Sequence, residues 1–457
     1  MSENVSCPGA APKLPFGKAG AWIALLCLMV PMFASYFFDD MFSTLSQIFQ
    51  HPESLELGWS SADYGFYAGG YSFLCVCGGL VVCGILLDVF GVKIIGSVFV
   101  GLMALGAGIV LFALKSGFDS KVSLAIAYAG CMIFGLGSEI AGVAVTRSIA
   151  KWFKGRHVAL AMGAQVAVAR LGTASAFIIS PLLVKMQDSS GIYTLEQTAR
   201  PAVLGLSLIM LGVLLWGVFV WMDSRFDRLN SLKAEKGKVK EEDKFKFSDL
   251  GKVLTNPRFI MIALLCVFFY CCIISFKKFG TSIVIPRFGL QSDSAKWVIS
   301  LIPFFTVVFT PLFGALVDKV GKATLWMVAG SVMVLCAHLL LCFAPEGVAF
   351  WGYAAIAVLG VGYSLVPSAM WPTVPKIVPE RNLGTAYSLI YWIQNMGMLL
   401  VPIFVGRIFD SYQGQSAAVR AEFIFIALGI VAVCVSLLLV RSSKLHPELG
   451  MDEKCRS

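Results

Sequence analysis

The sequence predicts an all-α membrane protein of twelve transmembrane helices arranged as two pseudo-symmetric six-helix halves, and three observations carry that prediction. Of its 457 residues, 58% are hydrophobic and only 14% charged, against about 25% charged in soluble domains, so the chain cannot cover a water-facing surface. Its apolar runs number twelve, most of them close to the ~20 residues that cross a bilayer. A short helix–turn pattern occurs twice, its aspartates, Asp88 and Asp318, standing half the chain apart. The composition excludes a disordered, coiled-coil or disulfide-scaffold protein and argues against a nucleic-acid partner. The 44 glycines suit close packing of transmembrane helices.

Charge and turn residues bound the spans at 19–49, 62–87, 93–114, 122–150, 158–185, 200–222, 257–285, 295–317, 322–343, 349–375, 383–408 and 420–440. The first run is too long for the apolar core of a cleavable signal and reads as a span. The loop from Gln50 to Ser61 holds no Lys or Arg, whereas Lys151, Lys154 and Arg156 follow the fourth span. A Lys/Glu-rich stretch from Asp223 to Lys252 divides the spans six and six, Asn256-Pro257 starts the seventh as a helix opening should, and Arg441 and Lys444 close the twelfth. Positive charge collects on the cytoplasmic side. The expected layout is therefore a cytoplasmic N-terminus 1–18, a six-helix bundle 19–222, a cytoplasmic linker 223–256, a second bundle 257–440 and a cytoplasmic C-terminus 441–457. The formal net charge of +9 then belongs to the inner membrane face.

Most of the thirteen cysteines lie inside apolar runs, where a thiol is a small hydrophobe, and the four histidines are scattered. No metal and no cofactor is expected, and no nucleophile–base pair at membrane depth suggests an enzyme. The repeated pattern comprises Gly84, Asp88, Gly91 and Lys93 after span two and Gly314, Asp318, Lys319, Gly321 and Lys322 after span eight. Glycines permit a tight turn there, and Asp and Lys can clip neighbouring helix ends in one conformation, as a cytoplasmic gate. Duplicated halves are a transporter architecture.

Ionisable groups at membrane depth are costly and mark function. Glu139 precedes Trp152, where span four leaves the membrane, by the same interval that separates His157, where span five re-enters, from Arg170. At ~1.5 Å per residue both stand about 20 Å from the cytoplasmic surface. Such a pair can accept an ammonium and grip a carboxylate, or it can be a permanent salt bridge between two helices. Glu139 is also the candidate proton-coupling group. Asp39 and Asp40 on span one and Lys277 and Lys278 on span seven share an outer depth on symmetry-related helices, as an outer gate or as four independent side chains reaching headgroup water. Trp371 in span ten, and Tyr387, Tyr391, Gln394 and Asn395 in span eleven, complete a candidate cavity with Tyr36 and Asp40. Three of the span-eleven positions recur at i, i+4, i+8 and predict one polar face.

The duplicated motif resembles the cytoplasmic signature of the major facilitator superfamily, although Val89 and Val92 replace basic residues in the first copy. GLGSEIAGVAVTRSIAKWFKGRHVALAMGAQVAVARLGT (Gly135 to Thr173) and GYSLVPSAMWPTVPKIVPERNLGTAYSLIYWIQN, within Gly362 to Asp410, are similar to that superfamily's lysosomal dipeptide-transporter branch, the domain-containing protein 1 type. The resemblance implies the major facilitator fold, alternating access, and a dipeptide or similar zwitterion as cargo at Glu139 and Arg170. An aspartate of that branch aligns with Asp40, but the lysine pair has no counterpart, which leaves an organic anion or phosphorylated metabolite as the alternative. A transport-dead receptor or scaffold is the alternative from another class. Expected partners are membrane lipid, a small-molecule substrate and protons as the candidate coupling ion, with no nucleic acid and a monomeric state. A bacterial inner membrane is the expected residence, with the lysosomal membrane as the alternative.

Overall fold

Among the described residues, twelve helices are long and apolar enough to cross a membrane, in agreement with the twelve apolar runs. The computed structural model describes residues 14–153, 158–184, 191–230, 254–378 and 383–453. Most of the Lys/Glu-rich linker, at 231–253, lies outside the described residues, as do Lys154, Arg156 and His157.

In chain order the helices are α1 (Gly17–Asp40), continued by a 3₁₀ segment Ser43–Gln50, α2 (Ser61–Leu74), α3 (Leu80–Lys115), α4 (Ser120–Trp152), α5 (Val158–Leu183) and α6 (Leu195–Leu229). The second half holds α7 (Pro257–Phe288), α8 (Ser292–Val320), α9 (Ala323–Phe343), α10 (Ala349–Ile377), α11 (Leu383–Ser411) and α12 (Gly414–Leu445). A π-helical turn, Cys75–Gly79, joins α2 to α3, so span two runs through α2 into the first turns of α3.

Local chemistry sets the ends. Ser60 and Asp63 form a reciprocal capping box at α2, Thr194 and Gln197 form another at α6, and Asn256 caps α7 ahead of Pro257. Spans six and twelve begin earlier than their apolar runs. The turns ahead of those runs carry polar residues, Glu196 and Gln197 in α6 and Gln415 and Ser416 in α12, which end a hydropathy signal without ending the helix. In the duplicated motif Gly91 and Gly321 take positive φ, 80° and 73°, at the turns into spans three and nine. Only glycine enters that region without steric cost, so these two glycines make the turns. Gly84 and Gly314 lie within helices with open space around them.

The halves repeat each other in packing. In the first, α1 packs on α5 and α6, α3 on α4 and α6, and α2 on α4; in the second, α7 packs on α11 and α12, α9 on α10 and α12, and α8 on α10. Every partner is shifted by six helices, as a duplicated bundle requires. The seam between halves obeys the same rule, α2 meeting α11 and α5 meeting α8.

The seam is tightest at the end of the molecule away from the lysine-rich linker. There Phe49 stacks on Tyr64 at 4.8 Å, Tyr64 meets Phe279 edge-on at 5.2 Å, and Phe279 stacks on Phe409 at 5.7 Å. Ser46 Oγ lies 3.0 Å from Thr281 Oγ1 and 2.8 Å from Ser282 Oγ, and Ala62 N–H donates to Asp410 at 3.0 Å. At mid-depth the Trp392 indole donates to the Val76 carbonyl at 2.6 Å. The described polar contacts thus join the halves at the far end and at mid-depth.

Candidate substrate-binding site

The α1 helix delivers Tyr36, Asp39 and Asp40 to the seam, and α7 delivers Lys277 and Lys278 to meet them. Lys277 Nζ is 2.8 Å from Asp40 Oδ2, and Lys278 Nζ is 3.0 Å from Asp39 Oδ1 and 3.2 Å from Asp40 Oδ1. Thr173 of α5 donates to Asp40 at 2.8 Å and Ser43 at 3.2 Å. The Asp40 side chain, 1% exposed, therefore holds four donors, whereas that of Asp39, 26% exposed, holds Lys278. The four charges neutralise one another across the two halves. They do not reach out as independent side chains.

Glu139 and Arg170 stand differently. No ion pair joins them among the described residues, so the permanent α4–α5 salt bridge is absent from this conformation. Glu139 Oε1 accepts from the Tyr71 hydroxyl at 3.2 Å. The Arg170 guanidinium lies over two ring faces, Tyr36 at 5.6 Å and Tyr363 at 5.1 Å, a cation–π setting that, among the described residues, leaves its N–H fork without a carboxylate. Both side chains are partly exposed between the halves. One carboxylate and one guanidinium thus stand at mid-depth without an ion pair between them, the guanidinium bridging rings of the two halves.

An aromatic wall continues from Arg170 into the second half. Tyr270 meets Tyr363 edge-on at 5.9 Å and accepts a hydrogen bond from the Trp371 indole at 3.1 Å; Trp371 stacks on Tyr391 at 5.2 Å and lies 5.8 Å from Tyr387. Tyr387, Tyr391 and Asn395 lie one turn apart along the continuous α11. Gln394 is buried against α7, accepting from Cys266 Sγ at 3.2 Å, and Asn395 is 1% exposed with its amide donating to the Tyr391 carbonyl at 3.0 Å. Gln394 therefore points at α7, while Tyr387 and Tyr391 stay at the wall.

The motif residues are held by partners that sequence reasoning missed. Lys93 pairs with Asp227 of α6 at 2.5 Å, and Lys151 pairs with Asp223 at 2.8 Å and Asp227 at 2.6 Å. The Trp152 indole also donates to Asp223 at 2.7 Å. The side chain of Asp88 lies outside the described residues. In the second copy Asp318 and Lys319 are exposed, and Lys322 stands at the N-cap of α9 in the left-handed region, its N–H donating to the Asp452 carbonyl at 2.8 Å. The Asp452 carboxylate accepts from Thr324 N–H at 2.8 Å. Asp223→Ala leaves Trp152 and Lys151 without their shared acceptor, and the expected loss is about 1.5–3 kcal/mol, read as a lower unfolding temperature in detergent.

His338 of α9 and Glu422 of α12 form a further buried pair, 2.8 Å apart with both side chains 0% exposed, and the other ring nitrogen lies 3.1 Å from the Cys272 carbonyl of α7. Glu422 falls near the start of its predicted span, where it looks like a boundary charge. Glu422→Ala strands a buried imidazole and is expected to cost about 1–3 kcal/mol; Glu422→Gln, which keeps a hydrogen-bond partner, is expected to cost less in the same unfolding measurement. Among the described residues no group of three or more His, Cys, Asp or Glu side chains could hold a metal ion.

A family model described as Major Facilitator Superfamily matches residues 28–292 and 271–454. The chain is 30% identical over 448 residues to the lysosomal dipeptide transporter MFSD1 of Homo sapiens, covering 95% of this chain and 88% of that protein. It is 31% identical over 418 residues to the protein of the same name from Danio rerio, covering 89% and 83%. Among solved structures, a peptide transporter POT in complex with sulfate superposes with a TM-score of 0.67 at 15% identity, covering 96% of this chain and 97% of that one. A D-xylose-proton symporter superposes with a TM-score of 0.67 at 14% identity, covering 92% and 96%. These two likenesses concern the fold.

Proposed function

Because the chain belongs to the Major Facilitator Superfamily and is an integral multi-pass membrane transporter of the MFSD1 type, we propose that its cargo is a small zwitterion, a dipeptide first of all, carried by alternating access. The observation that carries this reading is the state of Glu139 and Arg170: opposite charges between the halves, with no ion pair between them among the described residues. Arg170 would take the cargo carboxylate through its planar fork, and Glu139 the ammonium. Tyr36, Tyr363 and Trp371 supply apolar area with polar tips for the remainder of the cargo.

Under the same proposal, Asp39, Asp40, Lys277 and Lys278 close the outer side, and the cavity opens to the cytoplasm, where the linker lies. The mutual neutralisation of those four charges weakens the organic-anion alternative, because the lysines that suggested it are already occupied. What remains near the site is one guanidinium balanced by one carboxylate. The lysosomal name of the vertebrate relatives supports the lysosomal membrane as the place of residence.

Counterflow in proteoliposomes tests the cargo. Vesicles loaded with unlabelled dialanine are expected to accumulate labelled dialanine, and vesicles loaded with phosphorylated sugars or dicarboxylates are not. Exchange of the anions without exchange of dialanine would reverse the assignment.

A further inference from the structure

We infer that Tyr71 is the positioning residue for Glu139, with Ser138 and Ser35 as a hydroxyl pair behind it; the inference rests on the reading of Glu139 as the ammonium acceptor. The Tyr71 hydroxyl on α2 lies 3.2 Å from Glu139 Oε1 and 3.0 Å from Ser138 Oγ, and Ser138 Oγ lies 2.5 Å from Ser35 Oγ of α1. Ser35 and Ser138 are buried. Four side chains from three helices thus form one unbranched line.

Proton counting orders that line. A hydroxyl has one proton to donate, and an ionised carboxylate only accepts. With Glu139 ionised, the Tyr71 proton goes to Glu139. Ser138 Oγ is a second acceptor facing that same proton, and the charged carboxylate is the stronger of the two. Tyr71 holds Oε1, and among the described residues no other group donates to Glu139. Its second oxygen, Oε2, remains for a cargo ammonium, and the carboxylate cannot rotate without breaking the Tyr71 bond.

The backbone shows why Tyr71 reaches this far. Gly135 stands one helical turn before Glu139 on α4, and a Cβ there would collide with the Tyr71 backbone carbonyl. The missing side chain lets α2 lie directly on α4 at the height of Glu139. The Tyr71 ring is held edge-on by Phe134 at 6.0 Å.

Binding of two probes, L-alanyl-L-alanine and its N-acetyl form, to purified full-length protein tests the assignment. Tyr71→Phe keeps the ring and removes the donor, and it is expected to weaken dialanine binding on the order of tenfold. Ser138→Ala removes the competing acceptor and is expected to leave dialanine binding close to that of wild type. Glu139→Gln alone is expected to weaken dialanine binding as well, and adding Tyr71→Phe to it is expected to cost nothing more, since the two act as one unit. N-acetyl-dialanine has no ammonium, and its weaker binding is expected to be the same in wild type and Tyr71→Phe. Additive losses in the double variant, or equal losses for both probes, would reduce Tyr71 to a packing residue. Tight dialanine binding that ignores Tyr71→Phe overturns this assignment alone. No dialanine binding by the wild type overturns the zwitterion reading together with it.

Discussion

Replacing Arg170 by alanine is expected to abolish saturable dipeptide uptake while leaving the protein folded. Among the described residues the guanidinium has aromatic faces beside it and no carboxylate paired with it, so its removal strands no buried anion and the bundle keeps its packing. The cost falls on the cargo, whose carboxylate would enter the cavity unpaired. Truncating one member of a hydrogen-bonded charge pair costs about 2–5 kcal/mol, at least roughly thirtyfold in affinity. Arg170→Lys keeps the charge and loses the fork, and an intermediate loss is expected. Dipeptide uptake by the two variants, alongside their unfolding temperatures, checks both halves of the prediction. Wild-type uptake by Arg170→Ala would remove the guanidinium from the site.

Reversing the charges of Lys277 and Lys278 to glutamate is expected to open the outer end. Four carboxylates would then share a space in which Asp40, Lys277 and Lys278 are nearly excluded from solvent. Breaking a buried ion pair costs about 3–5 kcal/mol, and here that cost falls on the conformation in which α1 and α7 meet. The population should move toward the outward-open state and net transport should fall. A cysteine placed at Ser46, whose hydroxyl lies within 3.0 Å of α7 hydroxyls, should gain reactivity toward a membrane-impermeant thiol reagent from the outer side. Reversing Asp39 and Asp40 to lysine in the same chain should restore both closure and transport. Unchanged labelling and unchanged transport in the charge-reversed variant would show that these pairs do not gate.

The helices were legible in the sequence because lipid leaves no alternative: a spanning segment must bury every backbone polar group in its own hydrogen bonds and must be apolar along its length. The doubling was legible because Asp88 and Asp318 stand in matching turns, and the six-helix shift in packing partners follows from it. Asp39, Asp40, Lys277 and Lys278 were legible by counting residues from the membrane surface, since the rise per residue is the same in any α-helix. Rotation about the helix axis is not. It decided that Gln394 turns onto α7, and it brought Tyr71 to Glu139 and Tyr363 to Arg170. Among 12 tyrosines and 35 phenylalanines in so apolar a chain, nothing local singled those two out. Asp223 and Asp227 were hidden for another reason: they look like the first charges of a solvated linker, yet α6 continues through them to Leu229 and turns them onto Lys93 and Lys151.

The most direct test of the zwitterion site is the thermal stability of the purified protein with dialanine, in wild type, Arg170→Ala and Glu139→Gln. A ligand that binds only the folded state raises the unfolding temperature with concentration. The site described above predicts a concentration-dependent rise for wild type and a lost or strongly reduced rise in both variants. No rise in wild type, or a rise that survives either substitution, would contradict it.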